Sequence, residues 1–235
     1  MKKTAFLALS ILLACGSLAA LDTTKTLTLP AEGLKTLEVR AGAGTLKVTG
    51  HDGPAAIEVR AEIVAKGVDD EDLDAFLKDR VELTLERKGD RAVLVGRVRE
   101  RFRLFDFESA VINLTVSVPK ALALDVEDGS GSLVIEDVAA LRLDDGSGSV
   151  RVARIAGDVE IDDGSGGIEI ADVAGDVSIE DGSGEIDVRR VGGTVTVDDG
   201  SGSISVDGVE KDVRIVSAGS GGVDVNGVKG RVIRG

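Results

Sequence analysis

From residue 124 onward, branched aliphatic residues come in pairs separated by one position. The series runs Leu124/Val126, Leu133/Ile135, Leu141/Leu143, Val150/Val152, Val159/Ile161, Ile168/Ile170, Val177/Ile179, Ile186/Val188, Val195/Val197, Ile204/Val206 and Val213/Ile215. From Val150 each pair follows the last by nine residues, and Val223/Val225 continues the series after one inserted residue. Apolar and polar positions that alternate in this way mark a strand with one buried face, and Val and Ile are the residues that favour it.

Two different corners separate the strands. One is the tetrapeptide DGSG, at Asp128–Gly131, Asp145–Gly148, Asp163–Gly166, Asp181–Gly184 and Asp199–Gly202, with a decayed copy at Ala218–Gly221. The other has the form Val-x-Gly-Asp, as in Val173-Ala174-Gly175-Asp176, and its leading aliphatic recurs at 138, 155, 173, 191, 209 and 228. Two strands and two corners make a unit of 18 residues. Units of this length cannot bury an apolar face alone and must stack. The pattern therefore predicts an all-β chain wound as a parallel β-solenoid, with two short strands per coil and the Val/Ile pairs forming ladders inside. The stretch from Asp125 to Gly235 accommodates about six coils at that repeat length, and the crossover rule for parallel strands predicts right-handed winding.

The preceding residues are less regular. Short strands are predicted at Thr26–Leu29, Thr36–Arg40 and Thr45–Thr49, and residues 43–50 read as a decayed repeat, which suggests that the stack begins here. Ile57–Val64 is a further alternating strand. A short helix is predicted over 69–79, with Asp69 or Asp70 as N-cap and Leu73, Phe76 and Leu77 on one face. Val81–Glu86 and Arg91–Val98 flank Arg87-Lys88-Gly89-Asp90, a hairpin turn, and Ala110–Val118 alternates cleanly before Pro119. The organisation expected is a leader over 1–20, an N-terminal β-rich capping region over 21–120 that holds early coils and the helix, and regular repeats over 121–235.

Charge sharpens this division. Residues 1–120 carry 18 acidic and 18 basic side chains, whereas residues 121–235 carry 24 acidic and 10 basic ones, so the net charge of −14 sits in the repeats. A surface that acidic repels phosphate backbones, which argues against a nucleic-acid partner. Lys2 and Lys3 precede the apolar run Ala5–Ala14, too short to span a bilayer and suited to a signal peptide. Ile11-Leu12-Leu13-Ala14-Cys15, followed by Gly16-Ser17, resembles the bacterial lipobox, which makes Cys15 the expected acylated residue; ordinary cleavage near Ala19 is the alternative. Cys15 is the sole cysteine, so no internal disulfide forms. Export to the cell envelope, in the periplasm or outer membrane, follows, with membrane contact only through a lipid anchor.

Three chemistries compete for the DGSG corner. A phosphate cradle needs a glycine loop that feeds a helix N-terminus, and here every copy feeds a strand. A calcium repeat of the β-roll type carries its ligand aspartate at the sixth position of a nonapeptide. Here that position is Val150, Ile168, Ile186 or Ile204. A looser cation site remains as an alternative, with Asp145, Asp163, Asp181 and Asp199 as ligands in an acidic column shared with Asp144, Asp162, Glu180 and Asp198. The structural reading is the preferred one. Glycine supplies the positive φ of a sharp corner, Asp and Ser cap loop N–H groups, and water and salt screen the stacked charges.

One stretch departs from the pattern. Arg97–Phe107 holds four arginines and three phenylalanines. Arg99, Arg101, Phe102, Phe105 and Phe107 form a candidate partner-binding tip; the competing reading has the phenylalanines plug the open end of the solenoid. His51, the only histidine, reads as a turn residue beside Asp52-Gly53-Pro54. Asn113-Leu114-Thr115 matches a glycosylation sequon but lies within a predicted strand.

The repeated units "DGSGSISV" and "AGDVSIEDGSG" behind an exported β-rich head resemble the bacterial adhesin-like family, an exported β-solenoid domain of unknown function. The resemblance covers Ala41–Gly235 and is strongest from Asp125. It brings no catalytic residues and no cofactor. The function expected is that of a non-enzymatic envelope protein, a scaffold or adhesin-like module that presents a surface to an envelope protein or glycan. The alternatives are a calcium-binding repeat and, more weakly, a polysaccharide-active β-helix enzyme. The last is disfavoured because the chain has no Trp or Tyr and its acids follow the repeat.

Overall fold

The computed structural model describes residues 21–99 and 109–235. The chain runs through β1 (Leu21–Pro30), β2 (Thr36–Ala41), β3 (Ala43–His51), β4 (Ala56–Lys66), α1 (Leu73–Arg80), β5 (Val81–Lys88), β6 (Arg91–Val98) and β7 (Ser109–Pro119). The regular part follows as β8 (Ala123–Asp128), β9 (Ser130–Glu136), β10 (Ala140–Asp145), β11 (Gly148–Ile155), β12 (Val159–Asp163), β13 (Gly166–Val173) and β14 (Val177–Asp181). It ends with β15 (Gly184–Val191), β16 (Val195–Asp199), β17 (Gly202–Val209), β18 (Val213–Ala218), β19 (Val223–Val228) and β20 (Val232–Arg234).

From β8 the chain is the parallel β-solenoid that the pattern predicts, with about six coils of about 18 residues. From β8 on, even-numbered strands stack in one ten-stranded sheet and odd-numbered strands in the other. Like residues stack on like: Leu141 lies beside Leu124 and Val159, and Ile168 beside Val150 and Ile186. Every aliphatic pair from Leu124/Val126 to Val213/Ile215 is buried, and only Val223/Val225, in the last coil, is half-exposed. Full burial of one Val or Ile stabilises by about 1.5–3 kcal/mol, so the paired ladders hold the two sheets together. The inserted residue lies in β18. Register passes from Val197↔Ile215 to Asp198↔Ser217, which leaves Val216 as a bulge that is 47% exposed.

The N-terminal region is threaded in an order that the repeat does not reveal. Strand β2 pairs in parallel with both β6 and β8, and β3 with both β7 and β9. The coil β2–β3 therefore sits between the coil β6–β7 and the first regular coil. The chain makes this coil, leaves to build the end of the stack, and returns to lay β6–β7 on the coil's outer side. Antiparallel strands form the cap: β1 and β4 in one sheet and β5 in the other. Gly89 and Asp90 turn the β5–β6 hairpin, with Gly89 at φ +69.

The helix is shorter than the predicted 69–79. Asp69–Asp72 first closes a turn, with the Asp72 N–H donating to the Asp69 carbonyl at 3.0 Å, and α1 then runs Leu73–Arg80 with Asp72 as N-cap. Four consecutive acids repel one another in a helical turn, and Asp favours turns through its short side chain, so the helix starts after them. Its apolar face is the predicted one: Phe76 and Leu77 are buried and Leu73 packs against the core.

The second corner is sharper than Val-x-Gly-Asp suggests, because the residue before each leading aliphatic is left-handed. Asp137, Arg154, Asp172 and Arg190 have φ of +61, +57, +59 and +56, and Gly208 and Gly227 occupy the same place at +73 and +62. The charges alternate up this column. Arg154 donates to Asp137 at 2.8 and 3.0 Å, and Arg190 bridges Asp172 through both of its carboxylate oxygens. A left-handed non-glycine residue costs about 1 kcal/mol, and an exposed ion pair returns about as much. Arg190→Gly is therefore expected to change unfolding free energy by less than about 1 kcal/mol, measured by urea denaturation; a larger loss would show that the ion-pair column stabilises the stack.

Candidate functional site

The DGSG corner is where the chain concentrates ionisable groups. Period-two alternation continues through it: Leu141, Leu143 and Asp145 point one way and Arg142 and Asp144 the other. One aspartate of each acidic pair thus faces water while the next faces the core. Asp128, Asp145, Asp163, Asp181 and Asp199 are buried and stack in register on adjacent strands, with Ala218 next in line. Asp199 is 0% exposed. The acidic pairs form stacked columns as the sequence predicts, but the two columns differ in exposure. Glu127, Asp144, Asp162, Glu180 and Asp198 form the outer one, and water cannot screen the inner one.

Each inner aspartate caps its own loop. The Ser165, Ser183 and Ser201 N–H groups donate to the Oδ1 atoms of Asp163, Asp181 and Asp199 at 3.2, 3.1 and 3.0 Å. These are Asx turns, which set the backbone path of the corner. The other oxygen of each carboxylate has no hydrogen-bond partner, and the same holds for one oxygen of Asp128 and of Asp145. Burial pushes the carboxyls of Asp128, Asp145, Asp163 and Asp181 up to about 6, and the neighbouring aspartate adds to the rise in the last three. Burial also raises Asp199.

This geometry lends the cation alternative no support. Asp145, Asp163, Asp181 and Asp199 turn into an aliphatic core, each tied to its own loop. Among the described residues no group of three or more His, Cys, Asp or Glu converges as a metal site. Calcium binding through these four residues gains no support. What the corner shows is a set of loop caps whose carboxyls burial pushes above the usual carboxylate range.

Of the residues proposed as a partner-binding tip, Arg101, Phe102, Phe105 and Phe107 lie outside the described residues, as does Cys15. Arg99 is described. Its N–H donates to the Arg80 carbonyl at 2.7 Å, its carbonyl accepts from Arg80 Nε at 3.0 Å, and its guanidinium lies 3.6 Å from Glu82. Hydrogen bonding from Arg97, with Arg99 adding to it, holds the Glu82 carboxyl below its ordinary range. Arg80, which sequence reasoning passed over, is the buried partner here. It is 8% exposed, with its guanidinium 5.6 Å from the centre of the Phe76 ring. The spacing of four between Phe76 and Arg80 on one helix was the available signal. His51 ends β3, its Nδ1 accepting from the Gly53 N–H at 3.0 Å, the turn role expected of it. Asn113 lies in β7 and its Oδ1 accepts from the Thr45 N–H at 3.0 Å.

Each outer face carries a groove. One, of about 370 Å³, lies among Ser149, Arg151, Gly167, Glu169, Asp187 and Arg189; the other, of about 470 Å³, runs along the outer acidic column beside Arg142 and Glu160. No helix among the described residues is long and apolar enough to cross a membrane.

The family model described as Toastrack DUF4097 matches residues 8–233. No curated protein matches the chain. Among solved structures, the chain is similar to a provisionally named cell adhesion protein from Clostridium sporogenes, at 14% identity and TM-score 0.45 over 91% of this chain and 99% of that one. It is also similar to two proteins of Parabacteroides distasonis. One, provisionally named an adhesin, is 13% identical with TM-score 0.33 over 92% of this chain and 98% of that one. The other, provisionally named a lipid binding protein, is 13% identical with TM-score 0.36 over 90% and 94%.

Proposed function

The chain belongs to the Toastrack DUF4097 family, and from that premise we propose that it is an exported, non-enzymatic envelope module whose solenoid presents its outer faces to a protein or glycan partner. The observation that carries this reading is the alternation at the DGSG corner. The inner aspartates are buried in the core as loop caps, and what faces water is a polar surface repeated from coil to coil on two ten-stranded sheets. A catalytic acid or base must reach its substrate, and these inner carboxyls do not. A face that repeats at the strand spacing of about 4.8 Å suits recognition of an extended partner.

Export rests on the leader and on Cys15, with the lipid anchor as the finer proposal. Fractionation of cells that make the protein, with mass spectrometry of its N-terminus, tests this. The expected result is an envelope-bound chain that begins at an acylated Cys15, and loss of that attachment in Cys15→Ser. A cytosolic chain that retains Met1–Ala14 would overturn the reading.

A further inference from the structure

Asp-Gly recurs at 52, 128, 145, 163, 181, 199 and 207, and its first copy stands apart from the DGSG corners, in the turn after β3. The dipeptide has a reactivity of its own. The glycine amide nitrogen can attack the aspartate Cγ and close an imide ring, and glycine puts no side chain in the way. In the DGSG corners the reacting groups are tied down. The Gly146, Gly164, Gly182 and Gly200 N–H groups donate to the carbonyls of Asp128, Asp145, Asp163 and Asp181 on the neighbouring coil at 3.0, 2.9, 2.9 and 2.8 Å. The carboxyls of Asp163, Asp181 and Asp199 are buried and accept from their loop serines.

Asp52-Gly53 has the opposite surroundings. The Asp52 side chain is 84% exposed, and the Gly53 N–H donates not to a carbonyl but to His51 Nδ1 at 3.0 Å. A ring nitrogen that accepts this bond carries no proton, so the imidazole holds its proton on Nε2 and presents Nδ1 as a base. That distance is within the reach of general-base proton transfer. On the other side, Lys120 Nζ donates to Asp52 Oδ2 at 2.9 Å, and the Lys120 N–H holds the His51 carbonyl at 3.1 Å. A Cβ on Gly53 would stand 3.1 Å from His51 Nδ1, so glycine is what lets the imidazole close on the amide. Base, nucleophile, electrophile and proton donor thus meet in one turn.

From this arrangement we propose that Asp52-Gly53 is a self-modification site, at which the chain converts Asp52 to isoaspartate through a succinimide, with His51 as the base and Lys120 as the proton donor. The Gly53 nitrogen forms a bond to Asp52 Cγ as its proton passes to His51 Nδ1. The bond from Cγ to Oδ2 breaks, and that oxygen leaves as water, with the proton that His51 carries and one from the Lys120 ammonium. Solvent water then adds to the Asp52 main-chain carbonyl, and the bond from that carbonyl to the Gly53 nitrogen breaks. Gly53 stays joined through the former side chain, and the new carboxylic acid returns a proton to Lys120. Nothing is oxidised or reduced, and the water released in the first step is balanced by the water consumed in the second.

The turn lies outside the aliphatic ladders. Asp52, Gly53, Pro54 and Ala55 are all exposed, so the methylene that isomerisation adds to the main chain is taken up at the surface. The reaction occurs once per chain and stands independently of export and of any partner.

Ageing of the intact chain at neutral pH and physiological temperature, followed by tryptic mapping, tests the inference. The peptide Val48–Arg60 holds Asp52 as its only aspartate, and Leu143–Arg151 carries the Asp145-Gly146 corner as an internal control. Isoaspartate, read by enzymatic carboxyl methylation and by fragmentation of the isobaric peptides, is expected to accumulate in Val48–Arg60 about tenfold or more faster than in Leu143–Arg151. His51→Ala is expected to slow the reaction at Asp52 about tenfold or more, and added imidazole is expected to raise the variant's rate more than the parent's. The substituted side chain lies at an exposed turn, and unchanged melting confirms that the fold is kept. Equal rates in the two peptides, a His51→Ala chain that reacts as fast as the parent, or a loss that imidazole does not recover each overturns the proposal.

Discussion

Raising the pH from 4.5 to 7 is expected to weaken the folded state by several kcal/mol, the reverse of the usual acid sensitivity of carboxylate-rich proteins. Asp128, Asp145, Asp163 and Asp181 hold their protons to about pH 6 in the fold, against an ordinary aspartate value of 3.8. Between those values the native chain binds protons that the unfolded chain has released, so stability falls as pH rises. Below about pH 4 both states are protonated and the full stability is present; above about pH 6 both are ionised and the loss is complete. A shift of about two units in one group is worth roughly 3 kcal/mol. Neighbouring aspartates share the titration, so the four do not contribute independently. Exposed, ion-paired carboxylates such as Asp172 and Asp212 are shifted down and act in the opposite sense at lower pH, with the small weight of surface pairs.

Thermal melts at fixed ionic strength across pH 4.5–7 check the direction. Asp163→Asn gives a second readout. The amide keeps an oxygen to accept the Ser165 N–H but carries no charge into the core. It is expected to raise stability at pH 7, flatten the profile, and leave stability near pH 4.5 almost unchanged. A melting temperature that does not depend on pH between 5 and 7 would mean that water reaches the inner column.

Much of this molecule was legible because the solenoid repeats one local decision. The pairs from Leu124/Val126 to Val213/Ile215 mark an inner face by parity alone, and the two corner types set the coil length before any tertiary contact is known. The same parity already separates Asp144 from Asp145, since Asp145 continues the series Leu141, Leu143. Charge obscured that signal: a buried carboxylate is a poor guess until the Asx turn that requires it is seen. The threading of β2–β3 between later coils was not legible, because strands 50 or more residues apart pair through matching ladders and nothing local sets their order. The cap lies where the sequence places it, within 21–120, but its means of closure is not legible there: β1, β4 and β5 run antiparallel to their neighbours, and nothing local signals the change of direction. The left-handed Asp137, Arg154, Asp172 and Arg190 are not legible either: Asp tolerates positive φ better than most residues but also fills ordinary turns, and Arg gives no signal of it.

Gly166→Ala is expected to cost about 4 kcal/mol or more, at the severe end of single substitutions, while Gly167→Ala, one position along, costs less than about 1 kcal/mol. Gly166 sits at φ +147, a conformation that side-chain-bearing residues rarely adopt, and a Cβ there would collide with the carbonyl oxygen of Gly148 on the coil below. That oxygen belongs to the backbone of another coil and cannot rotate away. Gly148 itself meets Gly131, and Gly184 meets Gly166, in the same way. Relief at one level therefore compresses the next, and the strain spreads along the stack instead of dissipating in a side chain. Gly167 points outward, and an added Cβ there meets nothing within 4 Å. The comparison holds propensity nearly constant, because both changes replace glycine by alanine in the same strand; the difference isolates the close approach of successive corners. Urea denaturation of the two variants measures it. Equal, small losses would show that the coils are spaced widely enough at this corner to admit a side chain, and the DGSG repeat would then need a reason other than packing.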